Sequence, residues 1–242
     1  MAEPQPAGSA KRGPHFITPC MGRTSRVTPS SGALVRGLYS RPGVADGDLF
    51  VAAGTQLYRV STAWAATALG PLQGAAGTVL FDNIGSNLIA LAGGSIYQWD
   101  STNGLRVSTD EDTPMNAYTL ASLGDRALSS AEGSDQFDWS DTGSAVSWPA
   151  SGFATSGRQP DEILNQTVLG GDLWHFGSNS TQLWRAVGGD DADAFDILSV
   201  TLDRGIIGRD AIAKLCAKYD DDYWAIILRA SPIAKSRRLW RR

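Results

Sequence analysis

The sequence predicts an all-β chain of β-propeller type, made of four-stranded blades. Three observations predict it. First, a loose repeat recurs in which an Asp or Asn opens a short apolar run, a Gly or Ser turn follows, and a second run carries an aromatic residue near its end. The copies are Asp48–Val60, Asn87–Trp99, Asp125–Trp139 and Asp172–Val187, and their starts lie 39, 38 and 47 residues apart, close to the ~40–45 residues of one blade. Second, the runs are apolar on successive residues, as in LFVAA and LIALA, the pattern of strands buried on both faces. Third, 27 Gly and 11 Pro in 242 residues suit a chain of many tight turns.

Taken in order, Met1–Thr28 is rich in Pro, Ser, Gly and Arg without periodicity, so residues 1–31 read as an irregular or disordered arm. The first blade uses Ala33–Tyr39, Asp48–Ala53, Gln56–Ser61 and Ala66–Leu69. The second uses Thr78–Asn83, Asn87–Ala92, Ser95–Asp100 and Leu105–Thr109, separated by Gly, Ser and Asn turn signals. The third is weaker, because Arg126–Ala131 (RALSSA) has little β character and Ser140–Gln159 reads as a long Ser/Gly/Pro connection. The fourth uses Ile163–Leu169, Asp172–Phe176, Gln182–Val187 and Phe195–Val200.

Residues 32–216 therefore form a propeller-like domain of about four blades, and 217–242 is either the start of a further blade or a disordered basic tail. Four blades plus the opening of a fifth fill the chain, so the ring is not expected to close with this chain alone. Radial repetition buries both faces of each small sheet, whereas a lone hairpin in water is marginal. A β-sandwich is the competing architecture.

The apolar fraction of 42% supplies a core, and no apolar run nears the ~18 residues of a membrane span. The N-terminus has no apolar segment of signal-peptide type. Nothing else suggests an oxidising compartment, so Cys20 and Cys216 are not expected to form a disulfide. The net charge of −4 argues against a surface that grips phosphate throughout. The exception is Lys235–Arg242 (KSRRLWRR), where Arg237, Arg238, Arg241 and Arg242 are candidate DNA contacts. The same segment also reads as a disordered tail or the product of an interrupted reading frame.

Catalytic chemistry finds little to stand on. The two histidines, His15 in the arm and His175 inside a strand, are far apart, and two distant cysteines cannot complete a metal site of His/Cys type. No Walker loop and no GxGxxG follows a strand. Asp190, Asp191, Asp193 and Asp196, and Asp220–Asp222, lack the order of a calcium loop. Trp139–Trp148 (WSDTGSAVSW) is near the Asp-box hairpin of sialidase propellers but lacks Ser or Thr two positions before the Asp. No catalytic, cofactor or metal residue is assigned, and the expectation is a non-enzyme. A carbohydrate-active or carbohydrate-binding propeller is the alternative, and a glycosidase would need a pair of carboxylates that the sequence does not single out.

The runs VRGLY (Val35–Tyr39), DLFVAAGTQLYRV and Leu69–Gly70 resemble the amino-terminal part of the packaged-DNA stabilisation, or tail nozzle (tail hub), proteins of short-tailed bacteriophages. Phe137–Asp141, Trp148–Pro149, Phe153–Thr155, Pro160–Leu164, Leu173–Trp184 and Leu202–Lys214 continue the likeness in order and approximate spacing. It covers about Gly32–Lys214. The resemblance implies a structural subunit of the virion tail, present in host cytoplasm during assembly, that retains packaged DNA and forms the conduit for its ejection. Its implied partners are further copies in a sixfold ring, the portal adaptor and other tail proteins, and duplex DNA passing non-specifically through the lumen. No membrane and no cofactor are implied.

The family's motif falls on structural positions: Arg36, Gly37, Tyr39, Gly54, Tyr58, Trp148, Pro160, Asp161, Gly177, Trp184 and Gly205. The glycines are expected at turns needing positive φ, Tyr and Trp as packing anchors, and Pro-Asp as a turn start. Leu57, Tyr58, Ile96, Tyr97, Leu183 and Trp184, equivalent in three repeats, are expected between blades. The opening residues depart from the family's usual start, and the likeness stops near the middle of a typical member, which implies a partial or N-terminal-half copy of prophage type.

Overall fold

A computed structural model of the chain describes residues 2–3, 16–17, 25–157, 161–189, 191–216 and 224–228. Two short strands, β1 (Ala2–Glu3) and β2 (Phe16–Ile17), pair near the N-terminus. Four antiparallel four-stranded sheets follow, each a simple meander in chain order. Sheet 1 holds β3 (Val35–Tyr39), β4 (Leu49–Ala53), β5 (Gln56–Val60) and β6 (Ala66–Pro71). Sheet 2 holds β7 (Leu80–Ile84), β8 (Asn87–Ala92), β9 (Ser95–Asp100) and β10 (Gly104–Val107). Sheet 3 holds β11 (Ala121–Leu123), β12 (Arg126–Ser129), β13 (Gln136–Trp139) and β14 (Phe153–Thr155). Sheet 4 holds β15 (Asn165–Leu169), β16 (Asp172–Phe176), β17 (Thr181–Ala186) and β18 (Phe195–Leu202). A last pair, β19 (Ile212–Cys216) and β20 (Trp224–Leu228), comes after sheet 4. Among the described residues, helix is limited to three-residue 3-10 turns at Ala45–Gly47, Asp191–Asp193 and Arg209–Ala211.

The first strands β3, β7, β11 and β15 stand side by side in that order, so the sheets fan out from a common axis as propeller blades do. No sheet closes into a ring among the described residues.

The successive apolar residues of the middle strands have a simple cause. Strand side chains alternate between faces, and here both faces are buried. In β8, Leu88, Ala90 and Ala92 pack against Phe50, Ala52 and Leu57 of sheet 1, while Ile89 and Leu91 join Ala127, Ala145 and Trp148 on the other side. Between sheets 3 and 4, Leu128, Phe137 and Trp139 meet Leu173, Trp184 and Phe195. The rings of Phe137 and Trp184 are edge-to-face at 4.9 Å, a favoured aromatic geometry.

Sheet 3 departs most from the expectation. Its first strand, Ala121–Leu123, is absent from the sequence reading, and Phe153–Thr155 is a strand inside the stretch read as pure connection. The poor β former RALSSA still gives a buried strand because its hydroxyls are paired. Ser129 Oγ donates to Thr119 O at 2.7 Å, Ser130 Oγ and Thr119 Oγ1 share a hydrogen bond of 2.7 Å, and Ser140 Oγ accepts from Ala127 N at 2.8 Å. These residues are buried with partners in place, so burial costs little.

Of the six residues expected between blades, Leu57, Ile96, Tyr97 and Trp184 lie there. Tyr58 does not. It is half-buried on the face of sheet 1 turned away from sheet 2, beside Val51, Ala53 and Val60, because its neighbour Leu57 takes the inter-sheet side. Leu183 is likewise out of phase with Trp184 and, though buried, turns away from sheet 3.

Candidate functional site

A four-stranded meander brings the turn between its second and third strands to the same end as the connection leaving for the next sheet. At that end each connection is tied to a turn. Leu72 N donates to Thr55 O at 2.8 Å, Ala117 N to Gly94 O at 3.1 Å, and Ile163 N to Ser134 O at 2.8 Å. Ile206 N donates to Gly177 O at 2.8 Å. Arg36, Gly54, Asp161, Gly177 and Gly205 of the motif positions fall in this girdle.

Arg36 is its largest polar element. The residue is 5% exposed, and among the described residues its guanidinium donates to backbone carbonyls. Nε reaches Gly77 O at 2.9 Å, while Nη1 reaches Gly54 O at 2.9 Å and Gly74 O at 2.6 Å. Both Nη1 and Nη2 also contact Gln73 O at 3.2 Å. One side chain of β3 thereby holds the β4–β5 turn and the connection to sheet 2 together. Arginine's rigid fork of five donors suits this task.

Asp161 plays the corresponding part in sheet 4. Its carboxylate accepts from Ser178 N (3.1 Å), Ser178 Oγ (2.7 Å), Asn179 N (2.8 Å), Ser180 N (2.8 Å) and Ser180 Oγ (3.1 Å). Burial pushes its pKa up, but the hydrogen bonds from Ser178, Asn179 and Ser180 outweigh that and hold the carboxyl below the usual range. Asp161 thus clasps the Ser178–Ser180 turn across the fold and does not start a turn of its own. Pro160 lies outside the described residues.

The glycines correct the sequence expectation. Of the four motif glycines, only Gly54, at φ +57°, lies in the left-handed region. A Cβ on Gly37 would sit 2.6 Å from Val79 O and 2.9 Å from the Phe81 ring, where β3 meets the start of sheet 2. A Cβ on Gly177 would collide with the Asp161 carboxylate, and one on Gly205 with the backbone of Ser178 and Asn179. Three of the four are therefore required by close approach and not by φ.

The aromatic motif residues divide. Tyr39 donates its hydroxyl to Asn83 Oδ1 at 2.8 Å and packs against Phe81; its pKa is raised by burial first and by the nearby Asp82 second. Trp148 is buried between sheets 2 and 3, its ring nitrogen donating to Ala145 O at 3.1 Å and its backbone N to Asp110 Oδ2 at 3.0 Å. The loop that carries it is further held by Ala145 N donating to Gln98 Oε1 at 2.7 Å. Within the same loop Ser147 Oγ donates to Asp141 Oδ2 at 2.5 Å, so the aspartate of the Asp-box-like hairpin bonds internally. Asp110 and Gln98 were not foreseen, since nothing local to either marks a partner 38 or 47 residues on.

His175 is an interface residue, fully buried, with its ring edge-to-face against Phe137 at 4.4 Å. Its Nδ1 shares a hydrogen bond of 3.2 Å with Ser156 Oγ, and desolvation lowers its pKa to about 3. A neutral imidazole of this kind is a poor proton acceptor near neutrality. Among the described residues, no three His, Cys, Asp or Glu side chains gather to hold a metal. His15, Cys20, Asp190, Asp220–Asp222 and the arginines at 237, 238, 241 and 242 lie outside the described residues.

At the opposite end, the opening Asp of two repeats pairs with the Arg that follows the aromatic: Asp48 with Arg59 at 2.6 Å and Asp172 with Arg185 at 2.7 Å. Near the axis, Arg41, Asp82, Asn83, Ser122 and Asp125 line a polar cleft of ≈250 Å³.

A model of the phage stabilisation family, described as bacteriophage P22 Gp10, beta-propeller, matches residues 20–227. Among solved structures, a chain of apo ctPRC2 in an autoinhibited state is similar with a TM-score of 0.57 at 9% identity, over 83% of this chain and 54% of that one. A chain of a humanized mutant of the Chaetomium thermophilum Polycomb Repressive Complex 2, bound to the inhibitor GSK126, is similar with a TM-score of 0.52 at 10% identity, over 80% of this chain and 52% of that one. The chain spans about half the length of these solved chains. At such identities the likeness speaks for the fold alone. No curated protein sequence matches.

Proposed function

This chain belongs to the bacteriophage P22 Gp10 β-propeller family of structural virion proteins, and we propose that it is a tail nozzle or hub subunit that retains packaged DNA and forms part of the conduit for its ejection. The family match over 20–227 carries the reading. The interior of the fold supports a structural part over a catalytic one. The motif side chains are spent on tying sheets together: Arg36 on four carbonyls, Asp161 on one turn, Trp148 and Trp184 on packing.

The dimensions support a DNA path outside the single fan of sheets. The major groove of a duplex alone is ~12 Å wide, whereas the axial cleft is ≈250 Å³ and the first strands stand in contact around it. A cleft of this size favours a lumen between copies arranged in a ring over a duplex threaded through one fan of sheets. Host cytoplasm during assembly, sixfold stoichiometry and binding to a portal adaptor belong to the same proposal.

The test is co-sedimentation of the purified chain with DNA-filled heads that carry portal and adaptor. Binding to those heads, and none to heads stripped of the adaptor, is expected. Failure to bind either, or measurable turnover of an oligosaccharide by the chain alone, would refute the reading.

A further inference from the structure

Among the described residues, adjacent left-handed residues other than glycine occur once, in the turn between β3 and β4. Ala45 (φ +44°) and Asp46 (φ +56°) are followed there by Gly47 (φ +82°), and the conformation is costly to any residue with a Cβ. The turn is held from within, by Gly47 N donating to Val44 O at 2.9 Å and Asp48 N to Ala45 O at 3.0 Å, while Val44 is buried between sheets 1 and 2. Asp46 is thereby left exposed on the wall of a cleft at the end opposite the girdle. Asp46, Arg59, Ser86, Asn87, Trp99 and Ser101 line that cleft of ≈290 Å³.

A break in the repeat falls at the same place. In sheets 1 and 4 the opening Asp is bound to an Arg, Asp48 to Arg59 and Asp172 to Arg185. In sheet 2 the opening residue is Asn87, and the Arg position is Gln98, whose side chain turns instead to Ala145 N at 2.7 Å. Among the described residues the side chains of Asn87, Asp46, Ser86 and Ser101 therefore have no hydrogen-bond partner. Arg59 gives Nε to Asp48 at 2.6 Å and lies over the Trp99 ring at 5.5 Å, which leaves its two Nη groups for the cleft it lines.

We propose that this cleft binds a neutral saccharide, one sugar unit at a time. A carboxylate, a carboxamide, two hydroxyls and a guanidinium offer donors and acceptors together, the complement of a ring with adjacent hydroxyl groups. An anion is disfavoured, because Asp48 already neutralises Arg59 and Asp46 adds a second negative charge. A metal cation is disfavoured too, since Asp46 is the one carboxylate lining the cleft and a guanidinium stands in the same wall. The volume lies at the lower end of small-ligand sites, ~300–1,000 Å³, which suits a single sugar. Asp46 and Asn87 would hold adjacent hydroxyls while Arg59 donates to a third from its bed on Trp99. The left-handed turn presets Asp46, so binding needs little ordering of the loop. The sugar is held and not cleaved, because hydrolysis needs two carboxylates about the bond and Asp48 is tied to Arg59. The site is independent of the proposed part in the tail.

Titration of the full chain with the methyl glycosides of glucose, galactose and mannose, followed by amide NMR shifts, tests this. At least one of them should bind with a Kd of about 1 mM and move amides in 43–47, 86–87 and 99–101. Glucuronic acid and inorganic phosphate should bind about tenfold more weakly or not at all, given the uncompensated Asp46. Asp46→Gly suits the left-handed turn and keeps the fold, but it removes the carboxylate, so affinity should fall about tenfold, the loss of one charge-assisted hydrogen bond. Asn116→Gly, also at a left-handed position (φ +53°) but outside the cleft, should bind as the parent does. Absence of binding by all three glycosides, shifts confined to other segments, or equal affinity in Asp46→Gly and Asn116→Gly would overturn the proposal. Tighter binding of phosphate or glucuronic acid would also overturn it and make the cleft an anion site.

Discussion

Replacing Arg36 by Met keeps the apolar stem and removes the side-chain donors that bind the β4–β5 turn to the connection between sheets 1 and 2, leaving the Leu72 N bond to Thr55 O. Four carbonyls lose a partner, those of Gly54, Gln73, Gly74 and Gly77. Orphaning a buried polar group costs ~1–3 kcal/mol, but the four are not equal. Gln73, Gly74 and Gly77 are exposed and can take water, whereas Gly54 is partly buried. The full penalty therefore applies to about one carbonyl, with the lost charge-assisted bonds adding on top, and the expected destabilisation is about 2–4 kcal/mol. Arg36→Lys, with three donors in place of a fork, should recover part of it and cost about 1–2 kcal/mol. Urea unfolding followed by tryptophan fluorescence measures both, and amide exchange should rise first in 72–78. A Met variant within about 0.5 kcal/mol of the parent, a change typical of inert surface sites, would refute the staple, as would unchanged exchange in 72–78.

Trp184→Ala, which empties the space beside Phe137, should cost ~3–5 kcal/mol in the same titration; a value under about 1 kcal/mol would mean the indole is not a core anchor. Gly177→Ala drives a methyl into the Asp161 carboxylate and should destabilise by ~1–3 kcal/mol, whereas Gly170→Ala, at φ +60° with open space around it, should lose less than the clash does and show no loss of the Asp161 clasp by NMR. His175 is neutral in the fold with a pKa lowered from 6.5 to about 3, so its contribution is complete above pH 6.5 and is lost as pH falls toward 3, about 2 kcal/mol by pH 5. The slope of stability between pH 7 and 5 should flatten in His175→Gln, and an equal slope in both proteins would contradict the burial argument. The region 32–214 should bind free duplex weakly or not at all at physiological salt, as measured by fluorescence anisotropy, since a conduit wall that neutralised many phosphates would bind tightly and with steep salt dependence; nanomolar, sequence-selective binding would contradict a passive wall.

How much of this was legible depended on range. Sheets 1, 2 and 4 could be read because their signals are local: Gly and Asn turns bracket runs that are apolar on both faces, and each strand partners its neighbour in sequence. Sheet 3 was harder, because Ser129 and Ser130 become strand residues only once Thr119 supplies their hydrogen bonds, and Phe153–Thr155 pairs with β13 across a loop of 13 residues (140–152). The same limit hid the girdle. Arg36 stood out as a motif position, but its acceptors lie 18–41 residues away, and the chemistry of a carbonyl leaves no mark on residue type. The motif glycines are visible in sequence but not their reason, since a close approach between Gly205 and Ser178 depends on two connections meeting in space. Tyr58 differs from Leu57 by one residue of phase, which in a strand exchanges the faces.

The measurement that bears most directly on the proposed role is DNA retention by phage particles assembled with and without this chain. Filled heads completed without it should release their DNA, read as nuclease-sensitive genome after packaging has ended, and the supplied chain should restore protection. Heads that hold their DNA equally well in its absence, or that leak despite its incorporation, would contradict a part in keeping the packaged genome in place.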